Sequence, residues 1–393
     1  MASLYDELCE RFDVAREASA VHMGELVRRG VAFHHAGILP TLKEVVERLF
    51  TSGLIKMLFT TETFALGINM PAQTVVLDSV EKFHGTHFGY LRARGYQQMA
   101  GRAGRRGMDS RGYVHARVDT DEVTFAGVQH VVTGAPERVE SQFNLSYATI
   151  LGLYSRWGER LFDVCDRSFA AYQQRARRQG RRRRKKRPPP GAALRQQVRR
   201  KLKVLRSLGY LGKKGPTAKG RFAIHLPGYE LQATELYYAG LLDDLTVHEL
   251  NVLVSALVHE ARRGERGRVP KSLLGRVRRR ADRAVKHVHN LERQLGVPDP
   301  VRKLDLSLGM AVNAWSRGAD FADLASHTVA AEGDIIRTLR MSIQILRELR
   351  KAARAPKLKE KLLAAERAIN RGAVDAERQL RAGCEEGEQN PAQ

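Results

Sequence analysis

The residues with the clearest chemistry lie in one segment, Gln97-Gln98-Met99-Ala100-Gly101-Arg102-Ala103-Gly104-Arg105-Arg106-Gly107. Arg102 and Arg105, three residues apart, are predicted to project from the same side of one helical turn. The glycines between and beside them, Gly101 and Gly104, let a ligand come close to the backbone. Two guanidinium groups so placed suit a γ-phosphate, because an arginine there neutralises the charge that develops on a transferred phosphoryl group. In known enzymes that is worth roughly 10³ to 10⁵ in rate. Gln98, one turn ahead of Arg102, is placed to orient an attacking water. Taken alone, the segment fits equally well a Gly/Arg-rich surface turn that touches RNA only. The adjacent His34 and His35 lack Cys or carboxylate partners at ligand spacing, so a structural or RNA-contacting role is assigned to them and no metal site is expected.

Elements able to position these residues follow from the apolar pattern. The first 125 or so residues alternate amphipathic helical stretches with short β-rich runs at Val31 to Phe33, Lys56 to Phe59, Thr74 to Val80 and Tyr113 to Arg117, an α/β pattern. The run Ile55 to Phe59 is near-continuously apolar and leads into a Thr-rich loop, as a buried parallel strand leads into a functional loop at its C-terminal end. Beyond about Val128 helical periodicity dominates, through Phe143 to Phe169 and again over Leu194 to Leu208. The basic run from Arg175 to Pro190 is predicted to be an exposed linker: either a non-specific phosphate clamp, a solvated charge run or, more weakly, a nuclear localisation signal. A Gly/Lys/Pro loop at Gly212 to Thr217 precedes an expected β-wing at Gly220 to Ile224, so a winged helix is predicted there. Within Asp334 to Ala353, Ile336, Leu339, Ile343 and Leu346 form one apolar stripe. Arg337, Arg340, Gln344 and Arg347 repeat that spacing one residue on, as a basic stripe beside it. Trp315 can stack a base, although a single Trp on a helix is more often core.

Composition narrows the classes. The 393 residues carry 67 Lys plus Arg against 43 Asp plus Glu, a formal charge of +24. Such a balance points to a polyanion partner. A hydrophobic content of 43% supports two or three folded domains and argues against a disordered chain. No apolar run approaches the roughly 18 residues that span a bilayer, so no membrane association is expected. The N-terminus is acidic from its sixth residue and resembles neither a secretory nor a mitochondrial leader, which makes the cytoplasm the expected compartment. Cys9, Cys165 and Cys384 share no CxxC or CxxH spacing, so neither a disulfide framework nor a zinc site is read from them.

The Gln98-to-Gly107 segment resembles motif VI of superfamily 2 helicases, in the form found in the superkiller-type, exosome-associated DExH RNA helicases. Thr60 to Ala72 resembles their motif V, and Gly30 to Pro40 the stretch before it. Asp121-Glu122-Val123-Thr124 superficially resembles a DExH box but follows motif VI, so it is rejected as motif II. The resemblance implies that Arg102 and Arg105 are arginine fingers, that Gln98 assists hydrolysis, that Gly67 lies by the nucleotide, and that Thr61 contacts a backbone phosphate. It continues through Gln142 to Tyr147 into the winged-helix region. Gly228 to Leu231, Gly240 to Leu245, Trp315 to Gly318 and Glu332 to Arg337 resemble the C-terminal helical domain called DSHCT. There one helix acts as a ratchet on RNA, which adds weight to Arg337 and Arg340 as RNA contacts. The implied fold is α/β then mainly α. An incomplete RecA-like parallel-sheet domain (1–125) precedes a winged-helix-like region (126–226, basic linker 173–192), a DSHCT helical bundle (227–383) and a disordered tail (384–393).

Coverage runs from about residue 25 to 355 and resembles only the C-terminal half of the family's architecture. The 393 residues contain no GxxxxGK[ST] and no motif II carboxylate, and a strand expected ahead of Val31 is missing. The long arch insertion of eukaryotic members has no room here, which fits a compact prokaryotic-type relative. ATP with Mg would thus be held mainly by a first RecA-like domain outside this sequence, and the chain alone is expected to hydrolyse ATP poorly or not at all. Three readings follow: the C-terminal portion of an ATP-dependent RNA helicase, with a separate chain bearing the P-loop as one partner; an ATP-independent RNA-binding or regulatory module; or a winged-helix DNA-binding protein. The expected ligand is single-stranded RNA or an RNA duplex with an overhang, and RNA-degradation machinery is a candidate partner. RNA affinity should fall with salt by about 0.7 log units per log unit of salt for each phosphate engaged on a single strand. Filter binding across a salt series measures this slope, and a flat line contradicts it.

Overall fold

The protein is described here by a computed structural model covering residues 2–62, 70–84, 87–141, 143–179, 191–262, 264–265, 269–270 and 272–375. It divides into two compact units, Met1–Val139 and Glu140–Gln393.

The first unit begins with helices α1 (Ala2–Arg11) and α2 (Ala18–Val27), followed by strand β1 (Val31–His34), α3 (Pro40–Thr51) and β2 (Met57–Thr60). In α3 a proline at the first position presets the helical φ, and Leu42, Val45, Val46 and Leu49 recur at i, i+3, i+4 and i+7, all fully buried. After β3 (Thr74–Leu77) come β4 (Glu81–Phe83), β5 (Phe88–Tyr90), α4 (Ala93–Ala100), β6 (Tyr113–Ala116) and α5 (Phe125–Thr133). β1 pairs with β2 and β3 with β6, both parallel, with Val31 opposite Met57 and Thr74 opposite Tyr113; β4 and β5 form a hairpin. The four sequence-predicted strands are thus present. One expectation fails: β2 is not buried on both faces, since Met57 and Phe59 are more than half exposed, and Val76 and Tyr113 are exposed on β3 and β6. Near-continuous apolarity is the same whether a second layer covers the sheet or not.

The second unit is helical: α6 (Tyr147–Trp157), α7 (Leu161–Arg167), α8 (Phe169–Gln179) and α9 (Ala192–Ser207), then a short hairpin of β7 (Leu211–Gly212) and β8 (Gly215–Pro216) and α10 (Ala218–Ala223). The bundle follows with α11 (Glu230–Tyr238), α12 (Val247–Val258), α13 (Gly275–Gln294), α14 (Gly309–Ser316), α15 (Glu332–Ala352) and α16 (Pro356–Ile369). The expected wing is misplaced by the sequence reading. Thr217 accepts a hydrogen bond from Gly220 N at 3.2 Å and so caps a helix over the residues read as a strand, while the hairpin occupies the preceding loop. Gly220 is needed because a Cβ would lie 2.2 Å from the Tyr210 carbonyl oxygen. The basic linker is likewise corrected in part. Residues 173–179 continue α8, where Arg175 donates to the Asp166 carbonyl and Arg177 pairs with Glu140. Residues 180–190 and the tail 384–393 lie outside the described residues.

α12 is buried from Leu250 to Val258 and so forms the centre of the bundle, packed by α14, α15 and α16. Its start is fixed by a reciprocal capping box between Thr246 and Glu249. The predicted stripe of α15, Ile336, Leu339, Ile343 and Leu346, is buried. Trp315 is core: its Nε1 donates to Ile369 O at 2.9 Å and the Arg371 guanidinium stacks 3.5 Å from its ring centre.

A buried polar group ties α6 to the bundle. Glu292 on α13, wholly buried, accepts from Tyr147 Oη at 2.7 Å and Val301 N at 2.6 Å, while Lys201 donates to Leu145 O at 2.8 Å. Burial pushes the Glu292 carboxyl above its ordinary value. A raised carboxyl pKa means that folding is penalised once the unfolded group ionises, so stability falls as pH rises from about 4.3 toward the raised value. Glu292→Gln should remove this pH dependence. The mutant should gain on the native chain as pH rises through that window in urea unfolding, and parallel curves would refute the assignment.

Candidate nucleotide and nucleic-acid site

The basic segment is built at the end of α4. The helix's first free N–H groups, Ala93 N and Arg94 N, donate to the Glu137 carboxylate at 2.9 and 3.1 Å. The bond from Arg94 N leads in holding this carboxyl below its ordinary range. The stretch read as the start of the next region, up to Val139, therefore packs on the first unit. α4 ends at Ala100, with Gly101 as its cap. Gln98 is exposed on its last turn.

Arg102 and Arg105 do not share a helical turn, which corrects the sequence expectation. Ala103 leaves the helix to form an isolated parallel bridge with Ala72. Ala72 N donates to Arg102 O at 3.0 Å, and Gly104 N returns a bond to Ala72 O at 2.8 Å. Gly104 has φ +89°, a left-handed conformation that favours glycine and takes the chain out of helical geometry. Its neighbour across the turn is Gly112, where a Cβ would stand 2.5 Å from the Ala103 carbonyl carbon. The end of the motif V-like segment and the motif VI-like turn are thereby one backbone structure.

Arg105 is held by Asp109. Its Nε and Nη2 donate to the two carboxylate oxygens at 2.8 Å each, and its backbone N donates to Oδ2 at 2.9 Å. These bonds hold the Asp109 carboxyl down at about 2, and the Arg105 guanidinium is pushed up by the same partner. The pair persists above the ordinary carboxylate range and is lost only as pH falls toward about 2. Arg102 is half-buried.

Thr61 follows β2 and is exposed, and the neighbouring Glu62 accepts from Lys82 Nζ at 2.8 Å. Gly67 lies outside the described residues. His34 is buried, its Nε2 2.9 Å from Glu47 Oε1. His35 accepts from Gly37 N through Nδ1 at 3.0 Å, and its ring stacks on Phe33 with centres 5.5 Å apart. Among the described residues no group of three or more His, Cys, Asp or Glu could hold a metal ion.

In the second unit the basic stripe of α15 is not one open face. Arg337 is exposed, its Nε 3.7 Å from Asp334 Oδ1, and Gln344 is exposed. Arg340 instead donates to Val374 O at 3.0 Å and Ala373 O at 3.3 Å, and Arg347 donates to Glu366 at 2.7 Å. Sequence reading missed the two residues that position the turn. Asp109 had a signal, an acid four residues after Arg105; Glu137 had none, because its contact spans more than forty residues of chain.

A model of the helicase conserved C-terminal domain matches residues 9–107, and one of the DSHCT (NUC185) domain matches residues 213–376. Superkiller complex protein 2 of Homo sapiens is 48% identical over 155 residues, 39% of this chain and 12% of that protein. Over part of its length this chain is similar to superkiller-type DExH RNA helicases. Exosome RNA helicase MTR4 of Homo sapiens is 48% identical over 132 residues, 34% of this chain and 13% of its own length. Antiviral helicase SKI2 of Saccharomyces cerevisiae is 43% identical over 145 residues, 37% of this chain and 11% of its own. The matched segments therefore span only a small fraction of each relative. No helix among the described residues is long and apolar enough to cross a membrane.

The close approach at Gly112 generates a test. Gly112→Ala should cost the first unit about 1–3 kcal/mol, because a backbone carbonyl and not a pliable side chain must give way. Urea unfolding followed by a probe in that unit measures it; an unchanged midpoint would remove the tight approach from the account.

Proposed function

We propose that this chain is the C-terminal portion of an ATP-dependent RNA helicase of the superkiller type. In this reading Arg102 and Arg105 act as arginine fingers on a nucleotide held by a P-loop domain outside the sequence, and Gln98 orients the attacking water. Arg102, Gly104 and Ala72 carry the reading: two backbone bonds join the motif V-like end to the basic turn, so segments more than twenty residues apart respond to a ligand together. The turn fits the γ-phosphate end of ATP, since it offers guanidinium groups over a glycine-lined backbone, and its own carboxylate, Asp109, is already neutralised by Arg105.

Bound ATP with Mg supplies the phosphoryl group whose transfer to water drives the cycle. Arg105 reaches it by exchanging Asp109 for phosphate oxygens, and Asp109 returns it to a fixed place afterwards. Thr61, Gly67, Gly101 and Gly104 serve backbone or phosphate approach in this proposal, and Arg337 and Gln344 are polar residues of the predicted stripe that α15 leaves exposed for RNA. Arg340 is reassigned to holding the C-terminal turn at Ala373 and Val374. His35 is retained as an RNA-side residue ordered by Phe33.

The test is ATP hydrolysis by the purified chain, alone and mixed with a P-loop and DExH-bearing domain of a superkiller-type helicase, with and without single-stranded RNA. We expect no turnover alone and RNA-stimulated turnover in the mixture. Arg105→Ala or Arg102→Ala should lower it on the order of 10³-fold or more. Turnover unaffected by both substitutions would refute the finger assignment, and salt-sensitive RNA binding with no turnover in any mixture would favour the ATP-independent module.

A further inference from the structure

Outside the helicase motifs, the second unit carries a concavity of about 470 Å³ whose lining includes Phe143, Trp157, Arg160, Arg167 and Phe169. Its rings are not core. Phe143 is 42% exposed, Trp157 51% and Phe169 53%, and Tyr172, 59% exposed, lies stacked beside Phe169 with ring centres 6.0 Å apart and planes 15° from parallel. Four large aromatic side chains in water at one place are unfavourable unless something covers them. The local chain explains why they gather. α6 ends at Trp157, Gly158 takes a positive φ of 54° and starts a 3-10 turn to Arg160, and α7 brings Arg167 to the start of α8, where Phe169 and Tyr172 lie three residues apart on one face.

The charge at the rim identifies the class of ligand. Arg160 and Arg167 are exposed there, against Asp163, which stands 3.8 Å from Arg160. Beyond them the sequence continues into the basic run of residues 181–187. Flat rings flanked by guanidinium groups, in a chain of charge +24, are the parts of a site for unstacked bases joined by phosphates: every base offers a π-face to an aromatic ring, and the arginines take the backbone. A duplex, whose bases are already stacked, has no face to offer.

We propose that the groove of Phe143, Trp157 and Phe169 is a stacking site for single-stranded RNA, separate from the motif-bearing unit. It binds by base stacking on Trp157 and Phe169, with Arg160 and Arg167 on the phosphates. None of these residues belongs to the ATPase reading, so the two proposals fail separately.

The chain's two tryptophans make the experiment direct, because Trp315 is buried and Trp157 is exposed. Titrating the full chain with a single-stranded oligouridylate at low salt should quench the Trp157 emission to saturation, and Trp157→Phe should remove the signal while keeping most of the affinity. Trp157→Leu, which keeps apolar volume without a stacking face of that size, and Phe169→Ala should each weaken binding about tenfold. Arg160→Ala should reduce the salt slope by about 0.7. The proposal is overturned if RNA binds with Trp157 emission unchanged and the Leu variant binds equally well, if duplex RNA quenches as strongly, or if only an acidic peptide quenches. Absence of any RNA binding by the folded chain would overturn both this site and the RNA grip proposed above.

Discussion

Two hydrogen bonds between the Ala72 peptide and the turn at Arg102 and Gly104 decide where the first unit presents its basic groups. They exist only because the chain leaves α4 at Gly101, takes φ +89° at Gly104 and passes within contact of the Gly112 backbone. Backbone bonds have little freedom to re-form elsewhere, so the turn inherits the rigidity of the parallel strands that follow it on both sides, β3 after Ala72 and β6 after Gly112. Glu137 acts at the other end of α4, fixing the helix that delivers Gln98 and the turn. Site chemistry here rests on main-chain geometry first and on side chains second.

In the helical unit several of the basic side chains hold the fold together. Arg340 and Arg371 donate to carbonyls, Arg347 to Glu366, and Lys201 to the Leu145 carbonyl, each closing a helix end or loop against the bundle. Long basic side chains suit this task because their stems pack as apolar matter while the heads satisfy several acceptors. Net charge therefore overstates the surface offered to a polyanion. What remains outward on α15 is Arg337, Gln344 and Lys351, without Arg340 and Arg347 of the predicted stripe.

Much of the architecture was legible in the sequence. Short β-rich runs located β1, β2, β3 and β6, and the 3.6-residue stripe of Ile336, Leu339, Ile343 and Leu346 located the inner face of α15, because helical periodicity reports the buried face. The wing was misread because Gly220 and the residues after it look strand-like until the Thr217 cap is considered. The shared turn for Arg102 and Arg105 was misread because spacing of three implies a helix, whereas Gly104 breaks it. The partner of Arg340 could not be read at all: carbonyls at Ala373 and Val374 become neighbours only when the last turn folds back. Exposed Trp157 and Phe169 look, in sequence, the same as core residues.

The grip of Asp109 on Arg105 also bears on discrimination. In a strongly cationic protein an open arginine would collect any passing anion, including the singly charged phosphodiesters of the nucleic acid itself. A bidentate carboxylate sets a threshold: a ligand must offer more charge and more acceptor oxygens than Asp109 does before the guanidinium changes hands. In the function proposed above, a terminal phosphate, with close to two charges and three free oxygens, competes for Arg105 better than a singly charged backbone phosphate does. In that proposal the carboxylate is a selectivity filter, holding the arginine to itself along the polymer and releasing it at the end of a nucleotide.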